Sequence, residues 1–200
     1  AAMRALREAG LTPVPHLAAK RFASRGELAG FLRRAVDEAD VSRALVIGGD
    51  IPHAQGPFAD STALMRSGAL AEAGIRGVLL AGYPEGHPVI PAEAIQTGLA
   101  ANLASAREQN LDAVILTQFS FAPRRIAEYG AEIGRLYPGV PIVVGMAGPT
   151  NPLKLLQYAQ RCGVGASMRA LQAQGMQAVR LLVNTDPTDQ LTAIARHVAS

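Results

Sequence analysis

Three short stretches place polar, ligand-capable residues where apolar runs end: LVIGGD (45–50), GYPEGHP (82–88) and AVILTQFSF (113–121). In the first, Asp50 follows Gly48 and Gly49. Glycine lets a backbone approach a flat ligand closely, and a carboxylate accepts hydrogen bonds from ring N–H groups. A turn or helix-capping aspartate reads equally well from this stretch alone. In the second, Tyr83, Glu85 and His87 stand among two prolines and two glycines, the composition of a stiff polar loop. A solvated turn is the plainer alternative. In the third, Gln118 carries an uncharged amide that both donates and accepts, which suits amide-bearing heterocycles. Burying it without partners costs ~1–3 kcal/mol, so something must satisfy it. Phe119 and Phe121 offer rings for stacking beside it. A core amide bonded to neighbouring backbone stays open as the alternative.

Other chemistry finds little support. His16 and His87 are too far apart and too poorly accompanied for metal-ligand spacing, and His53 and His197 read as surface residues. The single cysteine, Cys162, excludes an internal disulfide framework and fits a reducing, cytoplasmic compartment. It reads as a small buried residue rather than a nucleophile. Lysine and arginine number 19 against 16 acidic residues, and the bases are scattered, so no nucleic-acid partner is expected. The apolar runs fall far below the ~20 residues of a spanning helix, so no membrane partner is expected either. Hydrophobic residues at 49% with 18% charged describe a packed chain.

The elements that must position these residues follow from periodicity. Six apolar runs fit strands buried on both faces: 14–19, 44–50, 77–83, 113–119, 141–147 and 179–185. Helical patterns lie between them, at 24–39, 60–74, 91–109, 123–137, 151–163 and 167–175, and a last one follows at 188–199. Ser24, Asp60, Pro91, Asn151-Pro152 and Asp186-Pro187 supply start signals. The first residues read as a helix tail ending at Gly10. Strand–helix units of this length are parallel βα modules. The glycine fingerprint of a dinucleotide-binding sheet is absent. His16, Asp50, Tyr83, Gln118 and Asn184 are expected at or near C-terminal strand ends, which favours a (β/α)8 barrel, about six units of it in one domain over 1–200. Helix faces rich in Ala and Leu suit a core or a homo-oligomer interface.

PHLAAKR (15–21), LVIGGDIP (45–52), GYPEGHP (82–88), LTQFSF (116–121) and GPTNPLKLLQYAQRCGVG (148–165) occur in one order. In that order and spacing they resemble the methylenetetrahydrofolate reductase family, from about Pro13 to Gly165. The resemblance implies a (β/α)8 barrel that binds FAD. It also implies NAD(P)H-dependent reduction of 5,10-methylenetetrahydrofolate to 5-methyltetrahydrofolate, for methionine synthesis. By the same resemblance, Gln118 faces the folate ring system with Phe119 beside it, Asp50 lies by the flavin ring, and Gln118 and Asp50 share in catalysis. His16, Gly49, Ala81, Tyr83 and His87 match the flavin-binding wall, and Arg107 matches a cation near the flavin phosphates.

Several positions depart from that family. Gly48 stands in place of a cationic flavin contact, Phe58 in place of a tyrosine, Ala100 in place of a carboxylate, and Pro152 in place of an aromatic residue. Each loss removes about 1 kcal/mol of cofactor binding if uncompensated. The family's catalytic acid lies on a first strand that nothing before Pro13 matches, so the chain is expected to carry strands three to eight. Two alternatives follow: a relative that handles folate or other one-carbon chemistry without bound flavin, and a non-catalytic folate- or flavin-binding subunit.

Overall fold

A computed structural model of the chain describes residues 1–146, Gln157, Val164 and 187–198. Along it run α1 (Ala2–Glu8), β1 (His16–Ala18), α2 (Arg25–Ala39), β2 (Arg43–Ile47), α3 (Ser61–Arg66) and α4 (Ala69–Glu72). Then come β3 (Gly77–Gly82), α5 (Ala92–Glu108), β4 (Asp112–Thr117), α6 (Pro123–Leu136), β5 (Ile142–Val143) and α7 (Pro187–Val198). The expected strand at 179–185 lies outside the described residues, as do the helices at 151–163 and 167–175, with Pro152, Cys162 and Asn184.

The five strands form one sheet in chain order, β1-β2-β3-β4-β5. β1 and β2 pair in parallel with His16 opposite Leu45, and β2 and β3 with Arg43 opposite Gly77. The Asp112 N–H donates to the Arg76 carbonyl and the Gln118 N–H to that of Gly82, a constant offset that makes β3 and β4 parallel as well. The result is an α/β fold with a parallel sheet, as the sequence predicts. A doubly wound sheet would reverse its order at a switch point, and the described strands show no reversal.

By its contacts the chain divides into two compact units. The first comprises Ala1–Ala81 and Gln96–Ile115. Its helix α2 buries Leu28, Leu32, Ala35 and Ala39, spaced to share one face, and opens with a Ser24 hydroxyl that accepts from the Glu27 N–H. α1 packs on α2, α2 on α4, and α3 on β2. The core between them includes Leu17, Leu28, Leu32, Val46, Leu64, Met65 and Leu70.

One device ends three helices of this unit. Gly10, Gly74 and Asn110 adopt the left-handed conformation, and the next N–H reaches back to Leu6, Leu70 and Ala106 respectively. Ile75 and Leu111, the residues after two of these turns, are buried and fix where β3 and β4 begin.

Two details differ from expectation. The segment 60–74 is two helices, because Gly68 takes φ +75° and the Ser67 hydroxyl bonds back to the Leu64 carbonyl. β1 begins only at His16, since Pro13 and Pro15 have no N–H to contribute to a ladder.

The second unit comprises Gly82–Ile95 and Leu116–Ser200. Within it α7 packs on α6, and Ile126, Ile133 and Ile194 are buried. β5 is only two residues long, and Gly145 after it donates its N–H to the Thr117 hydroxyl at 2.9 Å. A Cβ on Gly145 would meet the Thr117 carbonyl oxygen at 2.2 Å, so only glycine fits there.

Candidate functional site

In the first unit the chain emerging from β1 and the loop emerging from β2 form one platform. The Lys20 N–H donates to the Gly48 carbonyl at 3.0 Å, and the Gln55 N–H donates to the Lys20 carbonyl at 2.8 Å. The Lys20 Nζ reaches the Ile51 carbonyl at 3.2 Å. Gly56 lies flat on the backbone of Phe22 and Ala23: an added Cβ would stand 2.3 Å from the Ala23 oxygen. Gly49 holds φ +103°, a conformation that side chains rarely adopt.

Asp50 projects from this platform at the C-terminal end of β2, the end where parallel α/β sheets bind ligands. Its Oδ1 accepts from two nitrogens of Arg21, Nη2 at 2.6 Å and Nε at 3.1 Å. That hydrogen bond, with help from its own backbone N–H and from the guanidinium charge, holds the carboxyl below the usual aspartate range. Asp50 is therefore an anion at neutral pH.

Other residues expected at the site in this unit stand apart from the platform. His16 is the first residue of β1, exposed, and pairs with Leu45 in the middle of β2. Arg107 is exposed on the last turn of α5, which leads through Asn110 into the N-terminal end of β4. Asp50 follows the opposite end of its strand, so a phosphate held by Arg107 would not lie beside it. Phe58 is 3% exposed and belongs to the core, so a hydroxyl there would not face a ligand. Ala100 is exposed on α5, and Ala81 is half-buried near the end of β3.

In the second unit GYPEGHP is the stiff loop its composition suggests. The Gly86 N–H bonds the Tyr83 carbonyl at 3.0 Å, closing a turn with Pro84 at its second position and Gly86 at φ +76°. The rings of Tyr83 and His87 meet edge to face, 5.4 Å between centroids and 84° between planes. His87 Nδ1 accepts from the Val89 N–H at 3.3 Å, so a neutral ring carries its proton on Nε2. Burial lowers the His87 pKa, which keeps the ring neutral at pH 7, and burial raises that of Tyr83.

Gln118 leaves β4 with its N–H on the Gly82 carbonyl at 2.7 Å. Its Oε1 accepts from the Phe119 N–H at 3.1 Å, which turns the amide nitrogen away from that bond as a donor. Phe119 and Phe121 pack edge to face at 5.6 Å, and Ser120 between them is buried. Tyr129 of α6 also belongs to this surround. Burial pushes its phenol up to about 12, and its hydroxyl, beside the Tyr83 backbone, makes no hydrogen bond of good geometry among the described residues.

The sequence reading passed over Arg21, Lys20 and Tyr129. PHLAAKR held the signal for the first two, as adjacent cations leaving a strand, but their partners are some thirty residues away in sequence and no local pattern pairs them. Among the described residues no cluster of His, Cys, Asp and Glu could hold a metal ion, and no helix is long and apolar enough to cross a membrane. No protein-family model matches the chain.

Proposed function

We propose that the protein is a methylenetetrahydrofolate reductase-like oxidoreductase, built on a (β/α)8 barrel, that reduces 5,10-methylenetetrahydrofolate with NAD(P)H. The observation that carries this reading is the placement of three quoted motifs on their own strands. Gly48, Gly49 and Asp50 follow β2, Ala81 is the penultimate residue of β3 with Tyr83 just after the strand, and Gln118 and Phe119 follow β4, each at a C-terminal end.

The chemical character of these groups supports a flat, uncharged ring ligand. Asp50 is an ionised acceptor for ring N–H groups. Gln118 offers amide N–H donors, and His87 offers Nε2–H without a charge. Phe119 is an aromatic surface beside the amide. Each of these groups, by its own chemistry, suits a ring of the kind found in FAD and in folate. When bound, FAD would relay hydride between NAD(P)H and the folate. Of the residues that the resemblance implies for its ring portion, Gly49, Asp50 and Ala81 belong to the first unit and Tyr83 and His87 to the second. Arg107, at the opposite strand end from Asp50, has no part in that assignment.

The positions of Arg107, Phe58 and Ala100 favour a second reading, a relative that handles folate without tightly bound flavin. The visible absorption spectrum of the full-length protein, purified without added cofactor, separates the two. A flavin spectrum together with NAD(P)H-dependent turnover of methylenetetrahydrofolate supports the first. A colourless protein that FAD cannot reconstitute, yet which binds folate, supports the second. Absence of both flavin and folate binding refutes both.

A further inference from the structure

We infer that Arg21 is the positioning residue of Asp50: carried by the turn after β1, its guanidinium fixes the direction of the carboxylate that the loop after β2 presents to ligand. The inference rests on the reading of Asp50 as a site residue. Three observations carry it.

First, the guanidinium places two nitrogens on one carboxylate oxygen, Nη2 and Nε both on Oδ1. Two donors converging on Oδ1 hold that oxygen more narrowly than a single ammonium donor would. Second, the loop does not need this contact to stay in place. Lys20 already ties it through its N–H, its carbonyl and its Nζ, and Gly56 is seated on Ala23. What Arg21 adds is control of one side chain rather than of the loop. Third, the pair is open to solvent, with Arg21 52% and Asp50 80% exposed at the side chain. Exposed pairs contribute little to stability, so fold energetics give no reason for so specific a grip. A ligand arriving at the C-terminal end of β2 would meet a carboxylate already aimed, with its orientational freedom lost in advance.

The test uses the full-length protein and its variants Arg21→Gln, Arg21→Lys, Asp50→Asn and the double variant Arg21→Gln/Asp50→Asn. Carboxyl-carbon NMR reports the Asp50 titration, and folate binding and steady-state kinetics report the site. In Arg21→Gln the Asp50 pKa should rise towards the ordinary aspartate range while the melting temperature stays unchanged. Folate-dependent turnover should fall roughly 10- to 100-fold, as loss of a charged hydrogen bond implies. Arg21→Lys should keep the charge and part of the titration shift, yet lose most of the rate. The double variant should be no slower than Asp50→Asn alone, because Arg21 acts only through Asp50.

An unmoved titration in Arg21→Gln overturns the inference, and so does normal turnover in Arg21→Gln when Asp50→Asn is impaired. Additive losses in the double variant overturn it too. Normal folate binding and turnover in Asp50→Asn would remove Asp50 from the site and the inference with it. That result is distinguishable from failure of the pairing, because the titration is read separately.

Discussion

One added methyl group tests the platform that presents Asp50. In Gly56→Ala the new Cβ would stand 2.3 Å from the Ala23 oxygen and 2.5 Å from both the Ala23 carbonyl carbon and the Phe22 oxygen. Ordinary carbon–oxygen contact is about 1 Å longer. All three opposing atoms are backbone, so no rotamer change relieves the clash and the loop must lift. Overpacking of this kind costs about 1–3 kcal/mol. Lifting the loop also strains the Gln55 N–H to Lys20 carbonyl bond, 2.8 Å long, worth about 0.5–1.5 kcal/mol. The expected loss is roughly 2–4 kcal/mol, a fall in melting temperature of roughly 4–16 °C for a chain of this size. Gly30→Ala is the matched control. Gly30 lies inside α2 with nothing within 4 Å of an added Cβ, so the same methyl should stabilise by roughly 0.5–1 kcal/mol. Urea unfolding followed by circular dichroism measures both variants. Equal stability of Gly56→Ala and the parent, within about 0.5 kcal/mol, would refute the close seating of the loop.

Two further outcomes are expected. Asn102 of α5 is 6% exposed, and its Nδ2 donates to the Ser61 hydroxyl of α3 at 3.1 Å while its Oδ1 has no partner among the described residues. A double-mutant cycle of Asn102→Ala with Ser61→Ala should return a coupling of about 0.5–1.5 kcal/mol, and strict additivity would remove that bond from the account. Tyr129 should ionise near pH 12, read as the difference between the absorbance titrations of the parent and of Tyr129→Phe at tyrosinate wavelengths. Burial disfavours its phenolate, so the folded state holds the proton more tightly than the unfolded chain. Its contribution to stability is therefore whole below pH 10 and is lost as pH rises towards about 12. Ionisation of Tyr129 near pH 10 would show that its phenol is not held in the half-buried setting described above.

Much of the layout was legible in the residues alone, because it depends on local periodicity and local chemistry. The apolar run 113–119 predicts β4, and the strand stops at Thr117 where polarity begins. Ser24 marks the start of α2, and its hydroxyl makes the expected capping bond by accepting from the Glu27 N–H. Gly10 ends α1 as its lack of a side chain allows. The stiffness of GYPEGHP follows from its prolines and glycines, and the Tyr83–Gly86 turn realises it.

Other features depend on contacts between segments far apart in the chain. LVIGGD announces a carboxylate after two glycines, but the guanidinium that grips it belongs to Arg21, twenty-nine residues earlier. Gly56 and Gly145 are ordinary glycines in the sequence. They become obligatory only because Ala23 and Thr117 lie against them. Arg107 sits ten residues before Thr117, where the family resemblance implies a cation near the flavin phosphates. The direction of α5 puts it at the other end of the strand layer from Asp50. Spacing along a chain sets which residues can share a strand or a helical face. Which of them meet across elements is decided when parallel strands fix their register and the loops between them pack.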